Sequence, residues 1–306
     1  MKRVLVSGAT GFIGGAVVRA LCARGDSVAA LTRRPATTEQ LFGQAVRSIE
    51  WNPQAQVAAV AELAEADAII HLAGRPAVGV RHTERVKRQI YESRVAGTRQ
   101  LVRSIAALAP ERRPKVLVSA SAVGYYGNRS PDERLDETAS PGEGFMAEVC
   151  VAWEAAAQQA RELGLRVVTP RLGIVLGPGG GALHAMRQPF RWGVGGTLGS
   201  GEQVVSWIHL NDVVRVLLLC LDDERSSGPV NATAPGPVTN GALTHAIGRV
   251  LERPTWFRVP EIVLRGALGS GAAPLLEGQC VWPGVLHALG FSWEFPDVDS
   301  ALRASL

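Results

Sequence analysis

The chain has 306 residues, 46% of them hydrophobic and 20% charged, with a formal net charge of +4. These values fit an ordinary globular chain with a large core and exclude a disordered or collagen-like one. Basic residues are spread rather than clustered, which argues against a nucleic-acid partner, and no apolar run approaches the roughly 20 residues of a membrane helix.

Val4-Leu5-Val6-Ser7 runs straight into Gly8-Ala9-Thr10-Gly11-Phe12-Ile13-Gly14-Gly15. An apolar run that ends in glycines and then places Ile13, Val17, Val18 and Leu21 at helical spacing, with Gly25 as a stop, reads as strand, tight turn, helix. A dinucleotide diphosphate needs that arrangement. Gly8 permits the turn, Gly11 lets the backbone approach phosphate, and Gly14 lets the helix sit close on the strand, whose first-turn N–H groups then meet the negative charge. Gly8, Thr10, Gly11, Phe12, Ile13 and Gly14 are therefore the first candidate cofactor contacts. The variant Gly-Ala-Thr-Gly-Phe-Ile-Gly resembles that of the extended short-chain dehydrogenase/reductases, the superfamily of sugar-nucleotide epimerases and dehydratases.

Ser27 to Leu31 predicts a second strand, ending at Thr32-Arg33-Arg34-Pro35. In dinucleotide folds an acid about 20 residues past the glycines holds the ribose 2′-hydroxyl, whereas arginine accommodates a 2′-phosphate. No acid stands at that point, so NADP(H) is expected, with Arg33 the favoured contact and Arg34 the second. Ser48 to Trp51 predicts a third strand and Asp67 to Gly74 a fourth, whose all-apolar centre suits a parallel strand buried on both faces. Its ending, His71-Leu72-Ala73-Gly74, resembles the extended reductases, where small residues let the backbone pass beside the cofactor; His71 itself is expected to be scaffold.

A long helical pattern runs from about Glu84 to Leu108, with Arg94 where most extended reductases have asparagine. Val116 to Ser121 is the next buried strand, followed by Ala122-Val123-Gly124-Tyr125-Tyr126-Gly127. The chemistry of open α/β sheets lies beyond the carboxyl ends of the strands, where these hydroxyls fall. By resemblance Ser121 occupies the family's catalytic serine position. A loop from Asn128 to Gly144 leads into a helix from Phe145 to Leu163, then a strand from Arg166 to Thr169 and Pro170-Arg171-Leu172-Gly173. There the resemblance implies departure into a substrate lobe, with Arg171 counted among the cofactor contacts. The sheet is expected to be rejoined through Val204 to Asp212, with a helix capped by Asn211 or Asp212, and Gln203, Ser206, Trp207 and His209 to border the substrate, although Trp207 also suits a core. Pro229 to Thr233 reads as a strand, and Asn240 to Leu251 and Val298 to Arg303 as helices.

Several stretches resemble a narrower subgroup, the atypical epimerase-family oxidoreductases of bacteria and organelles with their own C-terminal domain. They are Ser119 to Gly127, Phe145 to Glu154, Arg171 to Gly181, Gly199 to His209 and Asn231 to Asn240. Ordinary short-chain reductases carry Tyr-x-x-x-Lys on the helix that holds Phe145 to Leu163 here. The lysine lowers the tyrosine pKa and holds the nicotinamide ribose. That pair is absent: family register places it at Met146 and Cys150, or Phe145 and Val149. If the chain is an enzyme its acid must come from elsewhere: a Ser121/Tyr126 pair is expected to polarise the substrate oxygen, with Tyr125 as the other nearby hydroxyl and Glu148 and Cys150 as further groups on the helix.

The expectation is an α/β chain: a Rossmann-type doubly wound parallel sheet over residues 1–172 and 204–230, and a small C-terminal α/β substrate lobe over 173–203 and 231–306. The expected function is NADP(H)-dependent oxidoreductase or epimerase chemistry on a carbonyl or hydroxyl compound, nucleotide-linked sugars included, with a non-catalytic NADPH-binding sensor or regulator as the alternative. Four scattered cysteines and six histidines without ligand spacing predict no metal and reduced thiols in the cytoplasm. A small-molecule substrate and a monomer or homodimer complete the expectation.

Overall fold

The computed structural model describes residues 1–53 and 60–306. Among the described residues, the central sheet runs through seven parallel strands: β1 (Arg3–Ser7), β2 (Ser27–Thr32), β3 (Val46–Glu50), β4 (Ala68–His71), β5 (Val116–Ser119), β7 (Arg166–Leu172) and β8 (Gly228–Ala232). A two-residue strand, β6 (Ser121–Ala122), continues beside the end of β7. Across the sheet the order is β3-β2-β1-β4-β5-β7-β8. The order therefore reverses between β1 and β4, and a crevice opens there above the carboxyl ends.

The inner strands are paired on both sides, and the sheet is covered on both faces. Val4, Val6, Ile70, Val118 and Val168 face a cluster completed by Val17, Val18 and Leu21 of helix α1 (Phe12–Ala23). Leu5, Ile69, Leu117 and Val167 alternate onto the other face, against Leu101 and Ile105. The predicted Glu84 to Leu108 helix is interrupted by a π-turn at Glu92–Ala96. The helix expected from Phe145 is α2 (Phe145–Gln158), closing in a 3-10 turn at Gln159–Leu163.

Two expectations need correction. Trp207–His209 does not rejoin the sheet: it pairs in parallel with Ile174–Leu176 in a separate two-stranded sheet, and Gly228–Ala232 takes the edge beside β7. The apolar run met its burial requirement on another partner, reached through Gly173, where a Cβ would lie 2.6 Å from the Ser206 carbonyl oxygen. Nor is the following helix, α3 (Leu210–Asp222), capped by Asn211 or Asp212. His209 Nδ1 accepts from the Asn211 N–H at 3.2 Å, while buried Asp212 accepts the backbone N–H groups of Glu294 and Phe295 at 2.9 and 3.0 Å. Asp212 thereby clamps the C-terminal segment onto α3.

Candidate active site

Beyond β1 the backbone makes the expected turn. Gly8 takes φ +73°, and a Cβ there would lie 2.8 Å from the Leu72 carbonyl carbon. At Gly14 a Cβ would lie 2.1 Å from the Gly8 carbonyl oxygen, so α1 packs where only hydrogen fits. Gly11 caps α1 with no side-chain bond, and the first turn has no acid, so the helix offers its N–H groups and the positive end of its dipole outward. Thr10 and Gly11 are exposed at this rim; Phe12 and Ile13 are half-buried. The Phe12 ring packs beneath the Gly177–Gly181 loop, where a Cβ at Gly180 would come within 2.6 Å of it. Phe12 therefore ties the turn to the start of the lobe.

Arg33 and Arg34 are exposed just past β2, and neither guanidinium has a hydrogen bond or ion pair among the described residues. On the other side of β1, the Leu72 N–H donates to the Ser7 carbonyl at 3.1 Å and the Ala73 N–H to Ser7 Oγ at 3.3 Å, with Gly74 exposed beyond. His71 is the scaffold expected of it: its ring nitrogens bond Ser7 Oγ at 2.6 Å and Thr98 Oγ1 at 3.1 Å, and burial holds its pKa down to about 4. A phosphorylated dinucleotide fits these residues: a cradle that a Cβ would fill, an uncapped helix end, and two open guanidinium groups with which no acid among the described residues pairs.

Past β5 the surroundings are filled. Ser121 Oγ donates to Glu154 Oε1 at 2.6 Å. The Glu154 carboxylate also receives Arg171 Nε at 2.8 Å and Nη2 at 2.9 Å, a bidentate pair with side-chain exposures of 11% and 3%. Arg171 Nη1 donates to the Tyr126 hydroxyl at 2.8 Å, and that hydroxyl lies 2.7 Å from Asn231 Oδ1 and 3.0 Å from the Asp136 carbonyl. Asn231 Nδ2 donates to the Trp282 carbonyl at 2.8 Å, while Glu137 Oε1 accepts from the N–H groups of Asn231 and Val285 at 2.9 and 3.1 Å. This chain of bonds joins β6, α2, β7, β8 and the C-terminal segment. Burial opposes the charge of Arg171, but the hydrogen bonds and charge of Glu154 outweigh it and raise the pKa. Burial pushes the Tyr126 phenol up to about 12 against the pull of Arg171.

The sequence-derived residues thus separate. Ser121 and Tyr126 are joined, but only through Glu154 and Arg171, and both are buried. Arg171, expected on the cofactor side, directs its donors into this network. Tyr125 is half-buried: the Arg171 guanidinium lies 3.5 Å from its ring centre, Tyr126 meets it edge-on, and its hydroxyl has no hydrogen bond among the described residues. At the positions where family register puts the missing pair, Met146 and Cys150 pack toward Gly124. Burial, then the charge of Glu154, pushes the Cys150 thiol up to about 12, so it is no thiolate nucleophile; Glu148 is exposed on α2.

The residues expected to border the substrate serve the lobe instead. Gln203 Nε2 donates to the carbonyls of Leu198 and Leu275, Ser206 Oγ to that of Gln279, and buried Trp207 Nε1 to that of Gly236. The irregular glycine-rich backbone leaves carbonyls that no ladder satisfies, and these side chains supply their donors. Among the described residues no cluster of histidine, cysteine or acids could hold a metal, and no helix is long and apolar enough to cross a membrane.

Comparison with known proteins agrees with this geometry. The model of the NAD dependent epimerase/dehydratase family matches residues 4–232. The chain belongs to that family. A second model, described as a domain of unknown function (DUF1731), matches residues 259–305. Among family members, the epimerase family protein SDR39U1 homolog of Arabidopsis thaliana, named as chloroplastic, is 40% identical over 308 residues, covering 98% of this chain and 86% of its own. Epimerase family protein MT2273 of Mycobacterium tuberculosis is 39% identical over 301 residues, with 98% and 96% covered. The crystal structure of human epimerase family protein SDR39U1 (isoform 2) with NADPH is similar at a TM-score of 0.84 and 34% identity, covering 98% of each chain. The Rossmann-type fold is thereby shared with family members over almost the whole chain.

Glu154 and Glu137 are the site residues that sequence reading missed. Glu154 had a signal: it lies four residues after Cys150, on the face of α2 turned to the sheet, and an acid on an apolar helical face requires a buried donor. Glu137 sits in a charged loop and carried none.

Proposed function

We propose that the chain is an NADP(H)-dependent oxidoreductase or epimerase acting at a carbonyl or hydroxyl carbon of a small molecule, nucleotide-linked sugars included. The observation that carries the cofactor reading is the guanidinium pair at Arg33 and Arg34, which no acid among the described residues neutralises, beside a glycine cradle; the NADPH in the human relative agrees with it. Gly8, Thr10, Gly11, Phe12, Ile13 and Gly14 hold the diphosphate through backbone, Arg33 and Arg34 the 2′-phosphate, and Leu72, Ala73 and Gly74 the backbone path beside it. When bound, the cofactor supplies or accepts a hydride. Tyr125 handles the accompanying proton, because its hydroxyl alone of the three candidates has no hydrogen-bond partner among the described residues. Ser121 and Tyr126 act beneath it as positioning residues, fixing Arg171 under the Tyr125 ring. The free cysteines suit a reducing compartment, and the cytoplasm is the location we propose.

Calorimetric titration tests the first half: NADPH should bind at least about tenfold tighter than NADH, as one charge-assisted contact implies. Equal affinities would remove the phosphate argument. NADPH oxidation against a carbonyl panel tests the second. Tyr125→Phe should lose turnover while still binding NADPH, and an unchanged rate would take the proton role away from Tyr125.

A second reading, an NADPH-binding sensor without chemistry, is favoured by the saturation of Ser121 and Tyr126 and by Met146 and Cys150 where the family's acid pair would stand. It expects tight NADPH binding, no oxidation with any carbonyl, and a protein partner that follows cofactor state.

A further inference from the structure

Beside the candidate cofactor site stands a further cation, Arg94, that no carboxylate among the described residues neutralises. Arg94 leaves the π-turn at Glu92–Ala96 and lays its guanidinium beside Gly74, where a Cβ would sit 3.4 Å from Cζ. Its Nη1 donates to the Arg75 carbonyl at 2.8 Å, and Cζ stands 5.2 Å over the Trp153 ring. Among the described residues no carboxylate pairs with it, although burial disfavours its charge. Helix α2 carries no lysine or arginine and meets the guanidinium with Trp153. A half-enclosed guanidinium with one carbonyl acceptor and an aromatic face has donors left for a ligand.

Position selects that ligand. Gly74 lies just past β4, and Arg33 and Arg34 just past β2, so β1 and the point of strand reversal stand between them. A dinucleotide spans that reversal, with its two nucleotide halves on opposite sides. Building on the NADP(H) reading above, we infer that Arg94 holds the phosphate and ribose of the nicotinamide half, as Arg33 holds those of the adenine half. The π-turn is what aims it: one extra residue in the helical turn redirects a side chain at a functional site.

Binding, not turnover, tests this. Calorimetry is run with NADPH and with 2′,5′-ADP, which keeps the adenine half alone, on the wild type, Arg94→Gln, Arg94→Lys and Arg33→Ala. Arg94→Gln should weaken NADPH about tenfold and leave 2′,5′-ADP within about twofold, Arg94→Lys should recover most of the loss, and Arg33→Ala should weaken both ligands. Should Arg94→Gln fail to fold, Arg94→Met, which keeps an apolar stem over Trp153, repeats the measurement. An Arg94 variant that binds NADPH as the wild type does, or that weakens both ligands equally, overturns the inference alone. A wild type that binds neither ligand overturns the cofactor reading and this inference together.

Discussion

Two regions of the same sheet edge handle polar groups in opposite ways. At the Gly8 to Gly14 turn the helix end faces outward, and just past β2 Arg33 and Arg34 do the same with guanidinium donors that find no partner among the described residues, while half-enclosed Arg94 past β4 keeps donors beyond the one given to the Arg75 carbonyl. Past β5, the side-chain donors of Ser121, Arg171, Tyr126 and Asn231 all find acceptors in the protein. Unused donors on a surface cost little until a ligand arrives, whereas buried ones must be satisfied for the chain to fold. The first region should therefore be read out as affinity and the second as stability.

The largest test of that division is Glu154→Ala. Removing the carboxylate leaves the Arg171 guanidinium, 3% exposed, with its charge uncompensated. Breaking one side of a buried pair costs roughly 3–5 kcal/mol, so urea unfolding should show a loss of that order. Replacing both partners by apolar residues of similar volume, Glu154→Leu with Arg171→Met, should recover much of it. If Glu154→Ala unfolds at the wild-type midpoint, the network does not hold the fold together.

His71 gives a pH-resolved version. Burial sets its folded pKa at about 4, below the ordinary 6.5, so the folded chain keeps the ring neutral while the unfolded chain protonates it. Stability is then full at pH 7, declines as pH falls through 6.5, and levels below about 4, a total of about 3 kcal/mol. Burial also lowers the His209 pKa, which adds loss of the same sign as pH falls. The carboxylates held low, Asp26, Asp67 and Asp297 among them, lose their stabilisation at lower pH. Denaturation between pH 7 and 4.5 should show the decline in the wild type and a flatter profile in His71→Asn. A parallel profile in the variant would place the titration elsewhere.

The sequence is legible where structure is made by neighbours along the chain. Gly8, Gly11 and Gly14 declare the turn within seven residues, and the helix at Asn240–Leu251 has the predicted bounds. Reading failed where partners come from far away. Trp207–His209 carries a good strand pattern, but nothing in it names Ile174–Leu176 rather than β7 as the neighbour. Ser121 and Tyr126 looked like open hydroxyls because the residues that occupy them, Glu154 and Asn231, lie 33 and 105 positions away. Asp212 resembled a cap for the same reason: the segment it clamps is 82 residues on.

Gly14→Ala tests the first region through its backbone. The added methyl meets the Gly8 carbonyl oxygen at 2.1 Å, and neither atom belongs to a side chain that could turn aside. Helix α1 has to lift from β1, an overpacking effect of about 1–3 kcal/mol. Because the helix end is also the proposed phosphate site, NADPH affinity should fall more than the melting temperature alone would suggest. Wild-type affinity in a destabilised Gly14→Ala would move the phosphate away from this turn.

Arg33→Ala should have the smallest effect on the fold and the clearest on the ligand. The side chain is exposed and touches no partner among the described residues, so its loss belongs with surface substitutions, within about 0.5 kcal/mol of the wild type. A charge-assisted contact to a 2′-phosphate is worth about 1.5–3 kcal/mol, so NADPH should bind roughly 10- to 100-fold more weakly while NADH is unchanged. Arg34→Ala should follow with a smaller loss, since the Arg34 backbone N–H is already turned toward Thr32 Oγ1 and Arg33 stands nearer the strand end. The decisive comparison is within one protein. A fall in NADPH affinity matched by an equal fall for NADH would mean that Arg33 acts on a part common to both cofactors, and the distinction between the open and the filled region would lose its link to the extra phosphate.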